Sequence, residues 1–325
     1  MGQRRWSEEE QRQWKAYYPA LFKSGRESAT GFPGARRDAS AVEVTDEERE
    51  RFFENMWPRG GFQFLLSGFN DVLMNKESNK LVYDFWARKV RKRLTNPAKQ
   101  KIMAPAELPY YFGTKRTPLE QDYYEILNQP NVHIHDLNAV PLKSFQERGL
   151  LMADDSSQEF DAVVLATGFD SFTGSLTQMG LKNKDGVELA DLWKGGINTY
   201  LGLTISGFPN LFMAYSPQAP TPLSNGPTII EAQVETIAEM IAKLEHEKAQ
   251  VIEAQRSAEE EWKGVLDEMI KYTLIPLTDS WWNASNIPGK KAENMTYVGG
   301  VDNYEKQCRA TMEGWKGFDV ITAKA

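Results

Sequence analysis

The most constraining stretch is Phe160-Asp161-Ala162-Val163-Val164-Leu165-Ala166-Thr167-Gly168-Phe169-Asp170, uncharged from Ala162 to Gly168. It is too short for a buried helix, does not alternate polar with apolar positions, and carries β-branched residues at Val163 and Val164. It therefore predicts a strand covered on both faces, the kind found inside a parallel α/β sheet. Such a strand needs hydrogen-bonding neighbours on both sides, because a buried N–H or C=O left unpaired is costly.

Elsewhere the pattern predicts helices first, then strands, then helix and tail. Ser7 with Glu10 and Thr45 with Glu48 form capping-box patterns. The first opens a helix to about residue 23, with Trp14, Tyr17, Tyr18, Leu21 and Phe22 at helical spacing; the second opens a helix that Pro58 ends. A third helix is expected over about 78–94. It ends in Arg88, Lys89, Arg91, Lys92 and Arg93, cations that suit a helix C-terminus; a phosphate or acidic-partner patch is the alternative. Val132-His133-Ile134-His135 alternates as a strand, and residues 140–145 and 150–153 read as a hairpin through Glu147-Arg148-Gly149. Short strands are expected over 201–205 and 211–214. Helices are expected over 228–246 and, with Ser257 as cap, to about 272. The tail from 276 to 325 reads as loop-rich.

Composition removes several classes of function. The net charge of −7 argues against a nucleic-acid binder. The single cysteine, Cys308, cannot form an internal disulfide, which points to a reducing compartment. Residues Met1–Ser7 show no apolar leader, and no apolar run approaches the roughly 20 residues of a membrane span. The expectation is a cytoplasmic protein with neither a membrane nor a nucleic acid as partner. His133 and His135 have no further ligands at short spacing, so no metal site is expected.

No hydrolase, zinc, thiol-redox or Walker pattern occurs, and Gly-x-Gly-x-x-Gly is absent throughout. Without that turn nothing lets the backbone approach a pyrophosphate at a helix N-terminus. Three stretches still look like chemistry. In Gly113-Thr114-Lys115-Arg116-Thr117-Pro118, adjacent cations follow an aromatic loop and could stabilise an oxyanion or hold a phosphate; an ordinary surface pair is the alternative. The loop 217–226, ending in Asn225-Gly226, could present N–H groups to a planar ligand or could be only a long connection. In Ser280-Trp281-Trp282-Asn283-Ala284-Ser285-Asn286-Ile287-Pro288-Gly289, a loop tryptophan could donate its indole N–H to a ligand hydroxyl or could pack in the core.

Together these stretches resemble the flavin-dependent Baeyer–Villiger monooxygenases of the cyclohexanone and phenylacetone monooxygenase type. The pieces that carry the likeness run in order from about residue 45: Gly61-Phe62-Gln63-Phe64-Leu65-Leu66 with Gly68-Phe69, Gly113 to Arg116, Tyr123-Tyr124-Glu125, Ala166 to Asp170, Thr199-Tyr200-Leu201-Gly202, Gly207-Phe208-Pro209-Asn210, and Trp281 to Gly289 with Gly299-Gly300. They cover only the second half of such an enzyme.

The resemblance implies an α/β chain: a partial two-dinucleotide-binding-domain flavoprotein fold with a helical insertion and without the N-terminal FAD glycine turn. It divides the chain into an N-terminal helix and loop (1–44), a helical insertion with an NADP-domain remnant (45–112), a strand and hairpin return segment (113–160), the C-terminal part of the FAD domain (161–275) and a loop-rich tail (276–325). It further implies FAD and NADP as cofactors and a ketone as substrate, converted to an ester or lactone. Arg116 matches the catalytic arginine, whose charge stabilises the attacking anion and the tetrahedral adduct that follows. Lys115 matches a lysine contacting NADP phosphate, and Trp281 a tryptophan bonded to the nicotinamide ribose. Ser224, Asn225 and Gly226 match the loop beside the flavin ring, Gly226 replacing a residue that is often larger. Asp170, at the end of the Ala166–Asp170 motif, is carried over as cofactor-binding. A companion chain or a longer reading frame would supply the nucleotide-binding half. The other reading is a non-catalytic remnant or binding module that does not hold FAD alone.

Overall fold

A computed structural model describes residues 5–34 and 37–322. Met1–Arg4, on which the expectation of a leaderless start partly rests, fall outside the described residues. The helices are α1 (Glu8–Arg26), α2 (Asp46–Met56), α3 (Gln63–Leu66), α4 (Lys76–Arg91), α5 (Pro97–Met103), α6 (Tyr123–Ile126), α7 (Gly174–Gln178), α8 (Leu189–Leu192), α9 (Gly226–His246), α10 (Arg256–Ile270) and α11 (Val301–Ala310). The strands are β1 (Leu142–Gln146), β2 (Gly149–Met152), β3 (Ser157–Glu159), β4 (Ala249–Ala254) and β5 (Phe318–Thr322). They form two antiparallel sheets, β1-β2-β3 and β4-β5. No helix of the described residues is long and apolar enough to cross a membrane.

The chain divides into two compact units, one of residues 1–79, 110–118 and 170–325, the other of 80–109 and 119–169. In the first, Trp262 of α10 stacks on Tyr297 at 5.2 Å, and Tyr304 of α11 lies within 6 Å of the same ring. Buried Tyr304 donates its hydroxyl to the Leu201 carbonyl at 2.5 Å and accepts from Gln233 Nε2 of α9 at 2.9 Å. Burial pushes the Tyr304 phenol well above its ordinary range and the neighbouring Cys308 thiol up to about 12. Both are inert, neutral core groups at physiological pH. In the second unit, Gln146 and Gly149 face each other across the two-residue turn Glu147-Arg148. A Cβ on Gly149 would lie 1.9 Å from the Gln158 carbonyl oxygen. Arg93 binds Glu120 and Glu125 at the α4 end, and Arg91 Nε donates to the Ala104 carbonyl. The basic run there therefore serves partly to tie down its own chain.

Helix ends follow the sequence closely. Ser7 and Glu10 complete their capping box, and Thr45 accepts from the Glu48 N–H. The strands do not follow it. Residues 161–169 join no strand and enter no backbone hydrogen bond among the described residues; Val164 and Phe169 are 87% and 85% exposed. Local composition favours a strand there, but a strand exists only where a neighbour completes its ladder. For the same reason no parallel sheet is found among the described residues. Val132–His135 joins no strand either, and 201–205 is a tight turn closed by a Tyr200–Thr204 bridge. Residues 211–214 form no strand. Ser257 lies inside α10, whose N-cap is Gln255. The tail contains α11 and β5, and β5 pairs with β4.

Arg26 ends α1 in a forked pair with Glu305 of α11, at 2.6 and 2.8 Å, and a third bond at 2.7 Å to Glu235 of α9. Burial alone would raise the Glu305 pKa; the Arg26 bond and charge, with Arg309, outweigh it and hold the carboxyl low. A lowered folded pKa means stability that is present above the unfolded value and lost as pH falls through the folded one. Arg26→Met is expected to cost about 1–3 kcal/mol in urea unfolding at pH 7, with the difference from the parent chain shrinking below about pH 4.

Candidate functional site

Within the first unit, the loop 110–118 is fixed before it reaches its cations. The side-chain amide of Asn79 closes on the Phe112 backbone, accepting from its N–H at 2.8 Å and donating to its carbonyl at 2.9 Å. Gly113 follows at φ +79°, where a Cβ would stand 2.7 Å from Leu65 Cδ1 and 3.2 Å from Leu73 Cδ2. The buried Thr114 hydroxyl sits 2.5 Å from the Tyr111 carbonyl and 2.8 Å from the Thr278 hydroxyl. Lys115 then projects over the Tyr110 ring at 4.6 Å, and Arg116 takes a different course. Its Nη2 donates to the Pro222 carbonyl at 2.6 Å, with the guanidinium 5.8 Å from the Phe62 centroid. No carboxylate pairs with Arg116 among the described residues, so its charge remains available for an anion.

The second loop, 216–226, is held by buried side chains. Gln218 accepts from the Thr199 N–H at 2.8 Å and donates to the Ile197 carbonyl at 2.9 Å. Its backbone carbonyl accepts from Trp262 Nε1 at 3.1 Å. Ser224 is buried and donates its hydroxyl to the Pro220 carbonyl. Asn225 is the N-cap of α9 but makes no side-chain capping bond, leaving the helix to open on backbone N–H groups. At Gly226 a Cβ would make only ordinary contact, 3.5 Å from the Tyr215 ring.

In the third loop, the Ser285 hydroxyl accepts from the Ser280 N–H at 2.8 Å and lies 2.7 Å from Asn283 Oδ1, which closes a tight turn. Trp281 packs between Phe172 at 5.2 Å and Trp282 at 5.9 Å. Trp282 is 3% exposed, and its indole N–H has no partner among the described residues. Asp170 is occupied: Lys290 Nζ donates to it at 2.5 Å and Thr173 Oγ1 at 3.0 Å. Its carboxylate thus ties the 170–174 turn to the tail.

The loops enclose a cavity of about 40 Å³, partly open, whose walls include Phe62, Leu65, Leu73, Arg116, Ser224 and Trp282. Of the residues singled out from the sequence, Arg116 and Ser224 line it; Lys115, Trp281, Asn225, Gly226 and Asp170 do not. Sequence reading passed over Leu73, and it gave Trp282 no role of its own. The resemblance reached this wall through Gly61 to Leu66 with Phe69, Gly113 to Arg116, Ser224 and the tryptophan loop. No cluster of metal ligands occurs among the described residues.

No family model matches the chain. Whole-sequence and structural comparison are informative. A cyclopentanone 1,2-monooxygenase of Comamonas sp. (strain NCIMB 9872) is 37% identical over 323 residues, 99% of this chain and 58% of the relative. A cyclohexanone 1,2-monooxygenase of Acinetobacter sp. is 32% identical over 97% of this chain and 57% of the relative. The crystal structure of a cyclohexanone monooxygenase from Rhodococcus sp. Phi1 bound to NADP+ matches with a TM-score of 0.91 at 31% identity, over 98% of this chain and 59% of that one. Over nearly its whole length the chain is similar to Baeyer–Villiger monooxygenases. It spans just under three fifths of these relatives, consistent with a C-terminal half, and its α/β fold is a part of theirs. The likeness begins well before residue 45 and covers nearly the whole chain.

Two glycines should respond in opposite ways. Gly113→Ala combines a left-handed backbone with overpacking against Leu65 and should cost about 2–4 kcal/mol by denaturant unfolding. Gly226→Ala, at an unstrained helix start, should leave stability unchanged or raise it by about 0.5 kcal/mol.

Proposed function

We propose that this chain contributes the cationic side of an active site for FAD- and NADPH-dependent oxygen insertion beside a ketone carbonyl, giving an ester or lactone. The observation that carries the reading is Arg116. It is an unpaired guanidinium oriented by the Pro222 carbonyl and set in the wall of an apolar cavity. A cation held in place before reaction stabilises negative charge developing on a carbonyl oxygen without reorganisation, and apolar walls strengthen the effect. Phe62, Leu65 and Leu73 suit the hydrocarbon part of a ketone and exclude water.

The residues present fit part of each cofactor. Backbone N–H groups at the uncapped start of α9, flanked by Ser224 and Asn225, suit the polar edge of a flavin ring. Lys115 suits an NADP phosphate and Trp281 a ribose hydroxyl. When bound, the flavin supplies the activation of oxygen and NADPH the reducing equivalents. The sequence offers no glycine turn for a pyrophosphate, so we assign those contacts to a portion of the enzyme outside this chain, either a companion chain or more of the same polypeptide. The exposed apolar run at Val163–Leu165 and Phe169 and the exposed aromatic residues Trp14, Tyr17 and Phe22 of α1 support that assignment as surfaces to be covered.

Equilibrium dialysis of the isolated chain should accordingly show no tight FAD binding. In an assembly with the portion of a relative that this chain does not span, Arg116→Ala should abolish ester formation and leave NADPH-driven flavin reduction within a few-fold of the parent. Ester formation surviving that change would exclude the role given to Arg116. A colourless assembly that oxidises no NADPH would favour the non-catalytic alternative.

A further inference from the structure

We propose that Thr278 is a positioning residue for Arg116: its buried hydroxyl, acting through Thr114, fixes the root of the guanidinium side chain so that an anion in the cavity meets a cation already in place. The proposal rests on the reading of Arg116 as the charge that stabilises an anion, and it names what holds that charge. Arg116 is itself exposed, and a long exposed side chain samples many rotamers unless it is tied at both ends. The Pro222 carbonyl holds its tip at 2.6 Å. The root needs a separate anchor. The Asn79 clamp ends at Phe112, and Gly113 follows with no side chain to bond. Thr114, two residues before Arg116, is the nearest preceding residue with a fully buried side chain.

The direction of the bonds at Thr114 follows from their acceptors. A hydroxyl has one proton to donate. The Tyr111 carbonyl, 2.5 Å from Thr114 Oγ1, can only accept, so Thr114 gives its proton there. The Thr278 hydroxyl, 2.8 Å from Thr114 Oγ1, is then the donor to it. Thr278 is 4% exposed and Thr114 wholly buried, so water does not compete for the pair. Thr278 is held in turn from its own side. Its N–H donates to the Ile275 carbonyl at 3.2 Å, and its carbonyl accepts from Asn283 Nδ2 of the tryptophan loop at 3.1 Å. Four residues earlier, the Leu274 N–H donates to the carbonyl of Leu73, a cavity-wall residue, at 2.8 Å. The donor thus stands on a segment fixed to the wall, and it passes that fixity to Thr114. A charge oriented in advance acts without reorganisation. Linkage adds a corollary: a bond that favours anion binding is itself favoured, by the same factor, once the anion is bound.

The test uses the full 325-residue chain with isobutyrate, whose carboxylate stands in for the developing anion, and isobutyramide, a neutral molecule of the same shape. By ligand-observed NMR titration the unsubstituted chain should bind isobutyrate, and Arg116→Met should remove that binding. Thr278→Val deletes the donor and keeps the shape; it should weaken isobutyrate binding roughly three- to tenfold and leave isobutyramide binding unchanged. Thr278→Ser, which returns the hydroxyl, should restore the isobutyrate affinity. Cys308→Ala, a change in the buried core at α11, should leave that affinity unaltered, which separates positioning from a loss of stability. In the unsubstituted chain, exchange of the Thr278 hydroxyl proton with water should slow by the same factor once isobutyrate is bound. This measurement decides the matter should Thr278→Val fail to fold. Isobutyrate affinity unchanged in Thr278→Val, an equal loss for isobutyramide or in Cys308→Ala, no restoration by serine, or an exchange rate indifferent to isobutyrate overturns the role of Thr278 and leaves the Arg116 reading standing. Isobutyrate binding that is absent from the unsubstituted chain, or that survives Arg116→Met, overturns both.

Discussion

Buried amide side chains hold the first unit together where a sheet ladder would ordinarily do so. Asn79 pairs with both backbone groups of Phe112, Gln218 bridges Thr199 and Ile197, and Gln233 joins the Tyr215 N–H at 2.7 Å to the Tyr304 hydroxyl. All three are almost wholly buried. An amide carries a donor and an acceptor in one plane and can imitate a neighbouring strand for one residue. Irregular backbone can therefore run through the interior with its polar groups satisfied, and the three loops around Arg116 keep definite shapes without regular secondary structure. Such an arrangement is stiff, because losing one partner leaves others unpaired in a poorly solvating interior.

The same fact explains which parts of the structure were legible in the sequence. Helix ends depend on residues three apart, so Ser7 with Glu10 could be read directly and is realised as a complete box, while Thr45 caps its helix by accepting from the Glu48 N–H without the return bond. The β1–β2 hairpin is equally local, since its register follows from the two-residue turn before Gly149. Residues 160–166 fail as a strand because the run states a preference and cannot supply a neighbour. The β4–β5 pair joins residues far apart, from Ala249 to Thr322 at one end to Ala254 with Phe318 at the other. No short window contains that information, and the tail consequently reads as loop when it holds β5 and α11.

For the site, the sequence marked Lys115-Arg116 and the tryptophan loop by residue type, and motif order marked the family. The division of labour within each pair was not legible. Adjacent cations look equivalent in a string, yet Lys115 lies over Tyr110 while Arg116 reaches Pro222. Adjacent tryptophans look equivalent too, yet Trp281 packs tilted against Phe172 while Trp282 is sealed in the wall. These differences arise from the Asn79 clamp, the left-handed Gly113 and the 280–285 turn, each of which depends on a partner distant in sequence or on a backbone angle.

The bare run from Ala162 to Phe169 bears on how long such a polypeptide survives in a cell. Its exposed residues are apolar or neutral, it contains no proline, and its backbone is unclaimed, the combination that zips onto its own kind or onto the binding cleft of a holdase. Proteolytic triage acts on the same signal. Concealing those eight residues would thus set abundance as well as architecture, coupling the quantity of this polypeptide to whatever lies across them.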